Sequence, residues 1–299
     1  MYFYKVYGLS FLSELKLEEL QENLFSNESI DVIIKKGLVQ FDHQISKPLF
    51  EDVHYIKNSD ELLIYVEDIC TYQIKNGSEV IVDLIQNSLY KEFKIYFYGT
   101  CIAALLFQRK VICLHGSAIL GENGANIFLA KSGMGKSTLT AYFLKYAYKY
   151  LGDDVLPTFF DASGHLKVQG SVPFIKLWKN NFELLNLPIE KAIQIRAGIP
   201  KYRLINQELF SDDSFNIDKV FILSWDQNSS FSLEKLNPII ALIHLKEHIY
   251  RDFFFSEKEE QTALLNQLSF IAKNHEVYLV KGRKSLLTLH YLKQRITNV

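Results

Sequence analysis

The chain has 299 residues, 48% of them apolar, enough for one large domain or two modest ones with a real core. A formal net charge of −1 argues against a general nucleic-acid binder. The longest apolar run, Cys101 to Phe107, is too short to span a bilayer, and the opening MYFYKVYGLS lacks a signal-peptide pattern.

Residues 1–90 are expected to form a small strand-rich N-terminal domain. YFYKVYGLSF, SIDVIIKKGLVQF and ELLIYVEDICTYQI are rich in β-branched and aromatic residues. Asn27, Gly37, Asn58-Ser59-Asp60 and Asn76-Gly77-Ser78 are the turn signals, the last opening onto the strand SEVIVDLI. Asp31, Asp60 and Asp68 are dispersed and read as solvated or turn carboxylates; the unit is open to a partner or peptide, but no residue anchors one. Cys70, Cys101 and Cys113 sit singly in apolar runs, as reduced core thiols of a cytoplasmic protein do.

Residues 91–299 are expected to form the second domain. Its pattern turns helical from Leu89 to Lys110, apolar on all sides and therefore buried. Two strands, VICLHGSAIL and ANIFLA, flank the hairpin signal Gly121-Glu122-Asn123-Gly124. His115 lies mid-strand, where it is either a satisfied core histidine or a group delivered to the loop that follows.

That loop is the strongest signal. Ile127 to Ala130 read as a short buried strand. Lys131 to Lys136 form a tight polar loop with Gly133 and Gly135, and Ser137 opens a helix. Glycines let successive N–H groups turn inward on an anion, and the helix N-terminus adds free donors. Lys136 would reach the β- and γ-phosphates and the Ser137 hydroxyl would ligate Mg²⁺. The strict pattern begins with Gly where this chain has Ala130, which is tolerated if that residue ends the strand without positive φ.

The helix is expected to end near Leu151-Gly152, with Asp153-Asp154 directly after it. This pair reads either as a solvated turn or, beside a phosphate loop, as one metal-holding and one acceptor-facing acid. A hairpin follows through TFFDASGHLKVQ, turning at Asp161–Gly164. PIEKAIQIRAGIPKYR (Pro188 to Arg203) lacks a clean period and is expected to be a mobile acceptor-binding loop. The tail reads as the strand KVFILSW, the helices IIALIHLKEHIYRDFF and EEQTALLNQLSFIAKN, the strand EVYLVK and a last helix KSLLTLHYLKQRI. His244 and His248, spaced i, i+4, are assigned to packing or surface, and Lys281, Arg283 and Lys284 to a solvated loop.

The string LHGSAIL…IFLAKSGMGKSTL…YLGDDVLP resembles the catalytic core of the HPr kinase/phosphorylase family, relatives of ATP-dependent phosphoenolpyruvate carboxykinase. GSVPFIKLW, KYRL and the opening KVYGLSFLSELKLEEL are similar to an HPr-kinase-related branch of peptide-tailoring kinases that accompany lasso peptide biosynthesis. The resemblance implies an α/β (α+β) fold: a P-loop-containing core with a mixed β-sheet and flanking helices, plus the N-terminal domain. It implies ATP and Mg²⁺ as cofactors, with Ser132, Gly133, Met134, Gly135, Lys136, Ser137 and Thr138 around the phosphates. Asp153 matches the family's general base, Asp154 the acid that holds Mg²⁺ with Ser137, and His115 the histidine beside the transfer site; Lys136 completes the catalytic set. The family's further metal-linked glutamate and Arg-Gly signature are not evident, which puts phosphorolysis in doubt. Lys176, Lys201 and Arg203 read as charge for the transferring phosphate or as solvated groups.

The expected function is transfer of the γ-phosphoryl of ATP to a serine or threonine hydroxyl of a peptide, of the lasso-precursor type. Alternatives are a true HPr kinase/phosphorylase, a small-molecule hydroxyl kinase, or a nucleotide-responsive binding module without chemistry. The expected partner is a peptide carrying an acceptor Ser or Thr, with no nucleic acid and no membrane. A homo-oligomer stays open, because the family's hexamer is not carried over to a different N-terminal unit.

Overall fold

The structure is a computed structural model that describes residues 1–23, 29–50, 52–85, 92–226 and 228–297. The Asn27 turn signal and residues 89–91 of the expected helix lie outside them. The chain is a mixed α/β protein of two compact units. The first is Met1–Val111 with Ile195–Ile199, and the second Ile112–Gln194 with Pro200–Val299. The division therefore falls after Val111 rather than near residue 90, because the helical segment clusters with the strands before it.

The first unit holds β1 (Tyr2–Val6), β2 (Leu9–Ser13), β3 (Val32–Lys36), β4 (Lys47–Phe50), β5 (Val53–Lys57), β6 (Glu61–Val66), β7 (Cys70–Lys75) and β8 (Glu79–Leu84). They make one sheet in the order β1-β2-β3-β8-β7-β6-β5-β4. The stretch read as one opening strand is a hairpin, since Tyr7 and Gly8 take φ of 56° and 69°. Asn76-Gly77 makes the same kind of turn between β7 and β8, with φ of 52° and 60°. The helical run is α1 (Phe93–Tyr96), a π-helical turn (Phe97–Cys101) and α2 (Ile102–Gln108). Gln108 and Arg109 fasten its end to the Gly77 turn through Gly77 N–H and C=O, both at 2.8 Å.

The second unit begins with β9 (Ile112–Leu120), β10 (Ala125–Leu129), α3 (Lys136–Leu144), β11 (Tyr150–Phe160) and β12 (Leu166–Gln169). Next come β13 (Phe174–Trp178), α4 (Lys179–Leu185), β14 (Ala192–Arg196) and β15 (Ile199–Ile205), of which Ile195–Ile199 count with the first unit, and β16 (Ser214–Trp225). Last are β17 (Ser232–Lys235), α5 (Pro238–Lys246), α6 (Lys258–Asn274), β18 (Glu276–Gly282) and α7 (Leu286–Thr297). The main sheet runs β10-β9-β11-β12-β16-β18-β17, and β10 also pairs with β16, so five strands close a circuit. A small sheet, β13-β15-β14, stands beside it. The segment expected to be a mobile loop is thus mostly this second hairpin.

Alternation along β16 feeds two cores. Ile217, Val220 and Ile222 pack with Leu245 of α5 and Leu264, Leu268 and Ile271 of α6. Phe221 and Leu223 pack with Leu139 and Phe143 of α3, Phe182 of α4, and Leu289 and Leu292 of α7. Two expected helices end early. α3 stops at Leu144, where Ala147 turns left-handed with φ 60°, and the aromatic run from Tyr148 enters β11. Leu151-Gly152 are therefore strand residues. α5 stops at Lys246, and His248–Tyr250 run as a short extended segment against β9. Among the described residues, no helix is long and apolar enough to cross a membrane.

Candidate functional site

Strands β10, β16 and β18 are mutually parallel, with Leu129 level with Ile222 and Trp225 level with Gly282. Their carboxyl ends, and the loops that follow, therefore share one edge of the sheet, the edge where open α/β sheets bind ligands. The glycine loop follows β10 there. Gly133 and Gly135 take φ of 79° and 83°, which a side chain would strain, so both positions favour glycine. Ala130 is buried just past the end of β10 and is not among the described non-glycine residues with positive φ, so the missing first glycine costs nothing.

Ser132 and Gly133 are exposed on the loop, Met134 is half-buried, and Gly135 caps α3. Lys136 opens that helix. Its amine is buried and donates to the Ala130 carbonyl at 2.6 Å. Burial pushes this amine below its usual range, against the opposing pull of Asp153 and Asp154. Thr138 is buried on the first turn.

Asp153 and Asp154 lie inside β11, level with Ser117 and Gly116 of β9, rather than in a turn. Asp154 takes φ 82°, rare for a residue with a side chain. Ser137 Oγ donates to Asp153 Oδ1 at 2.8 Å, and the Lys176 N–H donates to Asp153 Oδ2 at 2.9 Å. Lys176 Nζ meets Asp154 Oδ2 at 2.8 Å, and His115 Nε2 lies 3.3 Å from Asp154 Oδ1. The sequence reading joined Ser137 to Asp154 and left Asp153 for the proton; in the structure Ser137 is joined to Asp153, and Asp154 to His115 and Lys176.

The two acids differ in proton affinity. Desolvation raises the Asp153 carboxyl above the usual range, and the neighbouring Asp154 charge adds to it, against donors from Lys176 and Ser137. Desolvation also acts on Asp154, but Lys176 and His115 outweigh it and hold that carboxyl well below the usual range.

Other groups singled out in the sequence make contacts of their own. Lys201 lies 5.5 Å over the Trp178 ring, and Arg203 is buried with its guanidinium 5.3 Å from the Phe174 ring centroid. His248 is buried, and its carbonyl accepts from the His115 N–H at 2.7 Å. Tyr250 meets the His115 ring edge to face, with centroids 5.6 Å apart. Nothing local in HIYRDFF distinguishes this segment from a continuing helix. Also unforeseen, Trp225 Nε1 donates to the Met134 carbonyl, and Lys284 Nζ donates to the Gly133 carbonyl at 2.9 Å. Lys284 is exposed, yet it rests on the loop.

The residues present fit a nucleotide tail and a hard cation. A Cβ built on Gly133 would meet nothing within 4 Å, so the loop's mouth is open. Ser137 and Asp153 offer oxygen donors of the kind Mg²⁺ prefers. Among the described residues, no group of three or more His, Cys, Asp or Glu side chains is placed to hold a metal.

No protein-family model matches the chain, and no curated protein does. Among solved structures it is similar to the HPr(Ser) kinase/phosphatase from Coxiella burnetii, at 10% identity and a TM-score of 0.32, over 61% of this chain and 98% of that one.

Proposed function

We propose that this chain is an ATP- and Mg²⁺-dependent kinase of the HPr-kinase-like kind, which transfers the γ-phosphoryl to a serine or threonine hydroxyl of a peptide. The observation that carries the proposal is the 2.8 Å bond from Ser137 at the loop–helix junction to Asp153, with Asp154 next to it between His115 and Lys176. A cradle for phosphates and an adjacent acid pair are the two parts that phosphoryl transfer needs. The peptide acceptor, of the lasso-precursor class, rests on the resemblance of GSVPFIKLW and KYRL.

In this reading the loop amides and Lys136 hold the β- and γ-phosphates, and Ser137 with Asp153 hold the cation. Mg²⁺, when bound, neutralises charge on the phosphates. Asp154 faces the acceptor: its side chain is 26% exposed, whereas Asp153 is 3% exposed. A base must first reach the proton it takes, so access favours Asp154 over the more basic Asp153. His115 holds Asp154 in place, and most of the rate gain comes from positioning and charge stabilisation.

The test is phosphate transfer from labelled ATP with Mg²⁺ to a peptide panel that includes lasso-type precursors. Asp154→Asn should abolish transfer and keep nucleotide binding, whereas Asp153→Asn should weaken the Mg²⁺-dependent part of that binding. Absence of transfer to every peptide, or normal turnover by Asp154→Asn, would refute the reading.

A further inference from the structure

The loop's outward side carries two contacts that phosphate chemistry does not require. The indole N–H of Trp225, at the end of β16, donates to the Met134 carbonyl, and Lys284, just past β18, donates to the Gly133 carbonyl at 2.9 Å. Both side chains pack over Gly135: a Cβ there would lie 3.4 Å from Lys284 Cε and 3.5 Å from Trp225 Nε1. The shared sheet edge explains why two residues so distant in sequence arrive at one loop.

Peptide planarity gives these contacts a consequence. In a trans peptide the C=O and the following N–H point in opposite directions. The Gly133–Met134 peptide is held at both ends, by Lys284 at its oxygen and by the Met134 N–H donating to the Lys131 carbonyl at 3.2 Å. The next peptide is held by its oxygen at Trp225, which turns the Gly135 N–H to the opposite side, where the anion would sit. Two flanking glycines with positive φ can flip at little cost, so an external tether decides which way these peptides face.

We propose that Trp225 and Lys284 are positioning residues of the phosphate loop: they grip its outward carbonyls and so preset the amide that meets the nucleotide. The proposal rests on the nucleotide-binding reading above, but it concerns how the loop is held and not what is phosphorylated. Neither residue touches the phosphates, and Lys284 acts as a hydrogen-bond donor, not as a charge.

The test uses the full chain and titrates ADP and inorganic pyrophosphate by calorimetry, with thermal unfolding of the unliganded variants alongside. Trp225→Phe keeps an aromatic ring and loses the donor; it should weaken both ligands by about fivefold, the size of one lost net hydrogen bond. Lys284→Met should do the same, and Lys284→Gln, which can still donate, should restore most of the affinity. Unliganded melting temperatures should stay close to that of the unsubstituted chain. Variants that bind as tightly as the unsubstituted chain overturn the proposal. So does a Lys284→Gln that is as weak as Lys284→Met, with a shallower salt dependence, since that marks a direct charge contact with phosphate. If the unsubstituted chain binds neither ligand, the nucleotide reading itself fails, and this proposal with it.

Discussion

Lys176 offers the sharpest test of the site's electrostatics, because one side chain holds Asp154 by its amine while its backbone N–H holds Asp153. Lys176→Met keeps the stem and the N–H and removes only the charge. Breaking a fully buried pair by removing one partner costs about 3–5 kcal/mol. Here an upper bound applies, because near pH 7 a carboxyl with an ordinary pKa can instead take up a proton for about 4 kcal/mol. Asp154 is 26% exposed and keeps His115 at 3.3 Å, which brings the expected loss to about 2 kcal/mol. The pH dependence follows from the same pair. The folded pKa of Asp154 is depressed, so its contribution is present above the unfolded value near 4 and is lost as pH falls through the folded value. The gap between the two proteins should be about 2 kcal/mol near pH 7 and shrink progressively as pH falls below about 4. Urea unfolding followed by Trp fluorescence measures this, since both tryptophans, Trp178 and Trp225, lie in the second unit. A gap that does not change with pH, or no gap near neutrality, would refute the assignment.

His248 gives the opposite check on burial. Burial, followed by Lys136, His115, His244 and Lys131, pushes its pKa down to about 4. Its neutral form supports the fold fully above about pH 6.5, and up to about 3 kcal/mol is lost as pH falls to about 4, because the unfolded chain takes the proton first. In urea titrations across that range, His248→Asn should flatten the slope. Gly152→Ala should cost more than about 2 kcal/mol, because the added methyl would lie 1.8 Å from the buried Ser171 Oγ, and Ser171→Gly should restore much of that loss.

What the sequence disclosed was local. The glycine loop, the Asn76-Gly77 turn and the Gly121–Gly124 hairpin depend on backbone freedom at named residues, and the buried strand β10 on an apolar run of its own. What it concealed was set by distant partners. Pro188 to Arg203 has no clean period because β14 is an exposed edge strand, and its register comes from β15. His248–Tyr250 leave the helix because β9 offers hydrogen bonds, which no local pattern records. Lys284 looked solvated because its partner, Gly133, lies 151 positions away. The acid pair was legible as a pair, but its division of partners was not, since that depends on where α3 and β13 arrive.

That division has a structural cause. Neighbouring strand residues normally point to opposite faces, so a regular β11 would send one of the two carboxylates away from the loop. The left-handed backbone at Asp154 breaks the alternation, at a cost of about 1–3 kcal/mol, and brings both carboxyls to the Lys176 side. There the surroundings pull them apart: Lys176 and His115 lower the proton affinity of Asp154, whereas burial, with the Asp154 charge added, raises that of Asp153. A cation beside Ser137 and Asp153 would offset the cost of a buried carboxylate there. The acid most in need of a counter-charge is thus the one next to the helix-start hydroxyl, and the acid already balanced is the more exposed of the two. A bend placed on either neighbouring residue would shift both carboxyls out of these surroundings together, so the backbone at Asp154 is as much a part of the site as its side chain.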